Sequence, residues 1–254
     1  MRKKLRVLLL TFVDIFRENI GYHSASLTYQ FLTLMGSILI FLGFLSLYMP
    51  FLEPAKVYEH LRNSLPYYAD TVIAKLLPLY EKKAVGSAFS LLLAYYFSVS
   101  FAKSINTAFG YVYRRKPIEG EAFFWTLIPL LLLIYAMVLS FAVTLLTLSK
   151  SLLGSLYQRL AEFLNISLVL LIISMVYASY FRIRKTVFAS SILVALMVFM
   201  LNKLFSLLLV KLVSASPLYS LFGTPLLFLV WLYYSFFCLL LGVCFLRRLE
   251  EAST

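Results

Sequence analysis

Six apolar runs, each about 20 residues long, constrain this chain more than any other feature of its sequence. They cover about residues 27–48, 86–109, 123–148, 163–181, 187–210 and 224–246. A helix of roughly 20 apolar residues crosses the hydrocarbon core of a bilayer, which is about 30 Å thick. Since 62% of the residues are hydrophobic and only 13% are charged, the composition is unlike that of soluble domains. We predict an all-α polytopic membrane protein with six transmembrane helices, forming a single domain over residues 1–254.

The basic residues indicate the orientation of these helices. Lys and Arg are more numerous in the N-terminal segment, around residues 114–116 and 182–185 and at the C-terminus than in the alternate loops. Cytoplasmic loops carry the excess of Lys and Arg, so we predict that both ends of the chain are cytoplasmic. The net charge of +12 is concentrated at the ends of apolar runs, which is typical of membrane anchoring and does not predict nucleic-acid binding.

The N-terminal segment, residues 2–19, is amphipathic. Its apolar residues recur at helical spacing, and the opposite face carries Lys4, Thr11, Asp14 and Glu18. The basic residues at its start favour the anionic cytoplasmic leaflet, so we predict an interfacial helix and not a seventh span. No small-residue cleavage site follows the short apolar stretch, and we therefore expect a retained segment and not a signal peptide.

A second amphipathic segment, residues 52–83, follows the first apolar run. It mixes charges of both signs with apolar residues three or four positions apart. This pattern predicts two short amphipathic helices, broken at Pro66, on the outer side of the membrane.

Two lysines lie within the predicted spans, and they define the candidate site. Lys103 and Lys203 are each about seven residues, or roughly 10 Å, inside the nearer membrane interface. Asn106 shares a helical face with Lys103, and Asn202 adjoins Lys203. Snorkelling lysines and interhelical hydrogen bonds from Asn would account for these residues structurally. The alternative is a path for an anionic group such as a phospholipid headgroup, because no acidic residue lies within the apolar cores. The candidate path residues are Lys103, Asn106, Asn202 and Lys203.

Groups that could carry out catalysis are scarce. The only histidines, His23 and His60, fall on opposite sides of the membrane in this topology. Cys238 and Cys244 are six residues apart, about 9 Å along a helix and beyond disulfide reach. No metal-ligand spacing, glycine-rich phosphate loop or nucleophile elbow occurs in the sequence. We therefore predict that the protein is not an enzyme and has no catalytic residues, no cofactor and no metal site.

Several short stretches together resemble a known family. They are residues 25–29 (ASLTY), 104–111 (SINTAFGY), 220–225 (SLFGTP), 229–234 (LVWLYY) and 240–242 (LLG). In order and spacing they resemble the YihY/BrkB family of bacterial multi-pass inner-membrane proteins. The last span of that family usually ends in a Gly-Ala-Glu type of sequence, where this chain has Gly242, Val243 and Cys244. The resemblance implies six spans in the bacterial inner membrane and a family long labelled a ribonuclease and linked to virulence and serum resistance.

Three functional hypotheses follow from the sequence. The first is a non-enzymatic inner-membrane protein that translocates or handles an anionic lipid or amphiphile along the four candidate path residues. The second is a structural or accessory protein that docks an envelope partner through residues 52–83. The third is a membrane-bound hydrolase or ribonuclease, against which the scarcity of reactive groups argues. The expected partners are membrane lipids, with an envelope protein as the alternative and no nucleic acid; the oligomeric state stays open.

Overall fold

The computed structural model describes residues 2–48, 59, 74–75, 77–119, 155–181, 185–215 and 217–252. These residues are helical apart from short turns and loops, and no strand occurs among them. The helices are α1 (Arg2–Arg17), α2 (Ile20–Ser46), α3 (Lys83–Tyr113), α4 (Ser155–Tyr180), α5 (Lys185–Ala215) and α6 (Pro217–Glu251). The predicted all-α class is thus confirmed for the described part of the chain.

Four stretches of helix are long and apolar enough to cross a membrane: Ile20–Ser46, Lys83–Tyr113, Lys185–Leu212 and Gly223–Glu251. The apolar part of α4 is shorter and comprises Ile166–Tyr180. The predicted span at 123–148 lies outside the described residues, as does most of the outer segment at 52–83 with its predicted break at Pro66. A membrane protein with several apolar helices is therefore confirmed, while six spans and cytoplasmic ends stay predictions.

The helices extend beyond the apolar runs that predict them. Helix α2 begins at Ile20 and not near residue 27. Near this end of α2 the Ser24 hydroxyl donates to the Ile20 carbonyl at 2.7 Å, and the Thr28 hydroxyl donates to the Ser24 carbonyl at 2.8 Å. Such hydroxyls find their partner within the helix, so a loss of hydropathy does not end it.

The chain divides into two compact units, and the smaller one is Tyr29–Phe101. Within it the rings of Phe31 and Phe101 lie 5.7 Å apart. The ammonium of Lys83 lies 3.7 Å from the centre of the Tyr80 ring, a cation–π contact at the start of α3. The prediction of a single domain stays a prediction.

The larger unit comprises Met1–Thr28 and Ala102–Thr254, and its helices α4, α5 and α6 meet at Gly242. The Tyr177 hydroxyl of α4 donates to the Leu239 carbonyl at 2.6 Å, and the Ser190 hydroxyl of α5 donates to the Gly242 carbonyl. A Cβ at Gly242 would overlap both the Tyr177 hydroxyl and a methyl of Val194. Small residues allow such close approach in membranes, where association depends on packing and hydrogen bonds.

Aromatic side chains join the end of α3 to the end of α4. The Phe109 ring lies 6.0 Å from Tyr177 and 5.0 Å from Tyr180, measured between centroids. One turn later, the Tyr113 ring lies 4.5 Å from Phe181. The Tyr113 hydroxyl also donates to the carboxylate of Glu250 at the end of α6. These contacts bring the ends of α3 and α6 together, close to Arg114 and Arg247.

Candidate functional site

Helix α1 buries its polar face against α6. Asp14 and Glu18 are only 1% and 5% exposed, and Thr11 one turn earlier is also buried. The opposite face points outward, with Val13 60% and Phe16 84% exposed. The predicted amphipathic helix is present, and its polar side is the one that contacts the protein.

The Asp14 carboxylate is bound by two arginines of α6. Arg248 forms a bidentate pair, with Nε 2.6 Å from Oδ2 and an Nη2–Oδ1 distance of 2.7 Å. The Nη2 of Arg247 donates to the same Oδ2 at 2.8 Å. Such fork-shaped arginine–carboxylate contacts are among the strong hydrogen bonds of proteins, because both groups are charged and the geometry is fixed.

Glu18 links the same arginines to α3. Its Oε1 lies 2.6 Å from Nη2 of Arg114 and 3.2 Å from Nη1 of Arg247. Nη1 of Arg247 also donates to the carbonyl of Val112, near the end of α3. We call Asp14, Glu18, Arg114, Arg247 and Arg248 the junction cluster. It ties α1, α3 and α6 together by charge-assisted hydrogen bonds.

Two residues beside the junction cluster, Arg114 and Asn19, have a left-handed backbone conformation. Arg114 has a φ of 60° just after α3, where the Arg115 amide donates to the Gly110 carbonyl at 2.9 Å. This hydrogen bond is typical of a helix C-terminus closed by a left-handed residue. Asn19, with a φ of 47°, turns the chain from α1 into α2. Asn tolerates this conformation better than most residues, whereas Arg adopts it at some cost in strain.

The charges around Asp14 decide its protonation. Burial alone would raise the pKa of this carboxyl, but the hydrogen bonds and positive charges of Arg248 and Arg247 outweigh it and lower the pKa below its ordinary value of 3.8. A lowered folded-state pKa means that ionised Asp14 stabilises the fold above the unfolded-state pKa. This contribution is lost as the pH falls through the folded-state value.

We therefore expect the junction cluster to remain closed in mild acid. In thermal unfolding in detergent, the part of the midpoint that Asp14 supplies should stay constant above its ordinary pKa of 3.8 and should decline as the pH falls below that value. The variant Asp14→Asn should lose the part of this pH dependence that the carboxyl supplies. An unchanged acid profile in the variant would contradict the assignment.

The two predicted asparagines are engaged within the protein. The Asn106 amide donates to the Ile118 carbonyl at 2.7 Å, and its oxygen accepts from the Ile118 amide at 3.0 Å. Asn202 accepts a hydrogen bond from Nε1 of Trp231 at 2.8 Å. Asn106 thus fixes the loop that follows α3, and Asn202 joins α5 to α6.

The two predicted lysines lie on different helices and differ in exposure. Lys103 is exposed on α3, and within the described part of the chain its ammonium has no ion pair. Lys203 of α5 is half-buried, with its ammonium 5.6 Å from the centre of the Phe199 ring. No described contact brings the two lysines together, and their role in a substrate path stays a prediction.

Lys103 begins a line of exposed polar groups on α3. Thr107 and Tyr111 follow it at intervals of four residues, and both are exposed, whereas Asn106 and Ala108 beside them are buried. The ring of His23 packs 4.8 Å from that of Tyr111. We call Lys103, Thr107 and Tyr111 the α3 stripe. It extends about 12 Å along the helix, towards the Arg114 end.

The junction cluster is the part of the site that sequence reasoning missed. The sequence predicts Asp14 and Glu18 only as the polar face of a surface helix, and Arg247 only as a topology signal. The sequence did contain a signal: two acids four residues apart, Asp14 and Glu18, could pair with two adjacent arginines after the last apolar run.

Cys238 and Cys244, in the second half of α6, are buried and free. The Cys244 thiol lies 3.7 Å from a carboxylate oxygen of Asp14.

Within the residues that the structure describes, no three His, Cys, Asp or Glu side chains are grouped so that they could hold a metal ion. Neither the curated proteins nor the solved structures returned a match. The family model described as virulence factor BrkB matches residues 11–254, which include the helix ends that form the junction cluster. The chain is therefore a multi-pass membrane protein that belongs to the BrkB (YihY/BrkB) family.

Proposed function

We propose that this protein is a non-enzymatic protein of the bacterial inner membrane that binds an anionic lipid or amphiphile and assists its movement between leaflets. The observation that carries the proposal is the α3 stripe, in which Lys103 is exposed within the candidate span Lys83–Tyr113. A cation at this depth, on the outside of a helix, is the group that would attract a lipid phosphate.

The energetics favour a charged partner for Lys103. A lysine at the centre of a membrane helix costs about 2.5–3.5 kcal/mol on insertion scales, and less nearer the interface. A phosphate that pairs with the ammonium offsets that cost. Towards the helix end, the Tyr111 hydroxyl offers a further polar contact for a headgroup. The Thr107 hydroxyl lies between them and donates to the Lys103 carbonyl at 2.9 Å.

The contacts of Asn106 and Asn202 change their expected part in this function. Both amides are occupied by protein groups, Ile118 and Trp231 respectively. We therefore assign them a structural role beside the path and assign headgroup contact to Lys103. Lys203, on α5, stays the proposed cation of the opposite leaflet.

The test is lipid scrambling by purified protein in vesicles of phosphatidylethanolamine and phosphatidylglycerol, with labelled phosphatidylglycerol as the probe. We expect Lys103→Leu to lower the rate at least tenfold and Lys103→Arg to retain most of it, because the charge is what binds phosphate. Lys211→Leu, which removes an exposed lysine near the end of α5, is the matched control and should leave the rate unchanged.

Two results would refute this proposal. One is scrambling by the unmodified protein no faster than in empty vesicles. The other is a normal rate for Lys103→Leu, which would mean that Lys103 merely snorkels to the interface. The alternative hypothesis, docking of an envelope partner through 52–83, falls mostly outside the described residues and stays a prediction.

A further inference from the structure

One side of α1 carries exposed apolar residues, whereas the side that carries its two acids is buried. Thr11, Asp14 and Glu18 are buried, and Leu10, Val13 and Phe16 are 36%, 60% and 84% exposed. An amphipathic helix on a soluble protein has the reverse arrangement, with its apolar stripe facing the core. An apolar medium over these three side chains would be favourable, since it removes their apolar surface from water.

The position of α1 identifies that medium. Arg17 ends α1, and the candidate span of α2 begins three residues later, at Ile20. The arginines that hold α1, Arg247 and Arg248, lie in the last turns of the candidate span Gly223–Glu251. Both neighbours place α1 at the level where spans end, which is the boundary between hydrocarbon and headgroups.

The charges of α1 indicate the kind of lipid. Its first turns carry the basic residues Arg2, Lys3, Lys4 and Arg6, with no acidic residue among them, and Arg17 is exposed at the other end. The two acids of the segment, Asp14 and Glu18, are neutralised within the junction cluster. The remaining charged residues of α1 are therefore basic, and basic residues near an anionic membrane surface favour binding to it.

We propose that Leu10, Val13 and Phe16, flanked by the basic residues of α1, form a binding surface for anionic lipids at one membrane interface. The helix is inverted relative to an ordinary amphipathic anchor: its polar face binds the protein through ion pairs, and its apolar face enters the lipid. This surface is independent of the α3 stripe and does not require that any lipid be transported.

The first test measures what covers the apolar face. Spin labels are attached to Val13→Cys and Phe16→Cys in the full chain, in vesicles of phosphatidylethanolamine and phosphatidylglycerol. We expect higher accessibility to oxygen than to a water-soluble nickel chelate at both positions. Ala252→Cys, at the exposed residue directly after α6, is the control and should show the opposite ratio. The parent protein gives the background, since Cys238 and Cys244 are buried.

The second test measures the lipid preference. A fluorophore at position 16 should be quenched at least twofold more strongly by spin-labelled phosphatidylglycerol than by spin-labelled phosphatidylcholine. Replacing Arg2, Lys3, Lys4 and Arg6 with Gln should remove this difference. Shielding of both labels from oxygen and nickel would overturn the proposal in favour of a protein partner or a second copy, and water-like accessibility would overturn it outright. Equal quenching by the two lipids would overturn the preference for anionic lipid.

Discussion

Replacing Arg247 with methionine is expected to destabilise the protein by about 3–5 kcal/mol, because it removes one partner of a buried ion-pair network. Arg247 binds Asp14 of α1, Glu18 directly after α1 and the Val112 carbonyl of α3. Asp14 keeps Arg248 and Glu18 keeps Arg114, so the lower end of that range is the better estimate. Chemical unfolding followed by circular dichroism in detergent would measure the change.

The matched control is Arg17→Met, which removes an exposed arginine at the end of α1. It should shift the unfolding midpoint little, because exposed charges contribute less than about 1 kcal/mol. In the double variant Arg247→Met with Glu18→Gln, the two losses should not add, since removal of the acid leaves fewer uncompensated charges. Equal stability of Arg247→Met and Arg17→Met would show that the network does not hold α1.

Replacing Gly242 with alanine should destabilise the larger unit by about 1–3 kcal/mol, the usual cost of overpacking a well-packed interior. The added methyl would overlap the Tyr177 hydroxyl and a methyl of Val194, which belong to two other helices. Relief of that overlap would move α4 or α5 and weaken the hydrogen bonds from Tyr177 and Ser190 to α6. The thermal unfolding midpoint in detergent is the measurement.

The same substitution elsewhere should have the opposite sign. A Cβ at Gly36 of α2 would meet no atom within 4 Å. Gly36→Ala should therefore be neutral or stabilising by up to about 1 kcal/mol, because alanine favours the helix over glycine. Adding Tyr177→Phe to Gly242→Ala should recover part of the loss, since it removes one overlapping atom. If both glycine variants gained stability equally, the close approach at Gly242 would be refuted.

Candidate spans and local helices could be predicted because each depends on a short stretch of sequence. The runs near 27–48, 86–109, 187–210 and 224–246 correspond to the four candidate spans, although every one of these helices is longer than its run. The boundaries differ because hydropathy reports where lipid would be, whereas a helix continues as long as its backbone hydrogen bonds do. The amphipathic pattern of residues 2–19 likewise predicts α1, whose bounds are Arg2–Arg17.

The amino-acid sequence by itself determined that the chain lies in a membrane and forms helices, because apolar runs of span length and helical periodicity are local features. It also carried the family resemblance that the family model confirms. Only the tertiary structure decided which face of α1 is covered and what Asn106 and Asn202 bind. It also decided that Asp14 and Glu18 meet Arg247 at the end of α6. The reason is that periodicity identifies which residues share a face, but the partner of that face comes from more than 200 residues away in the sequence.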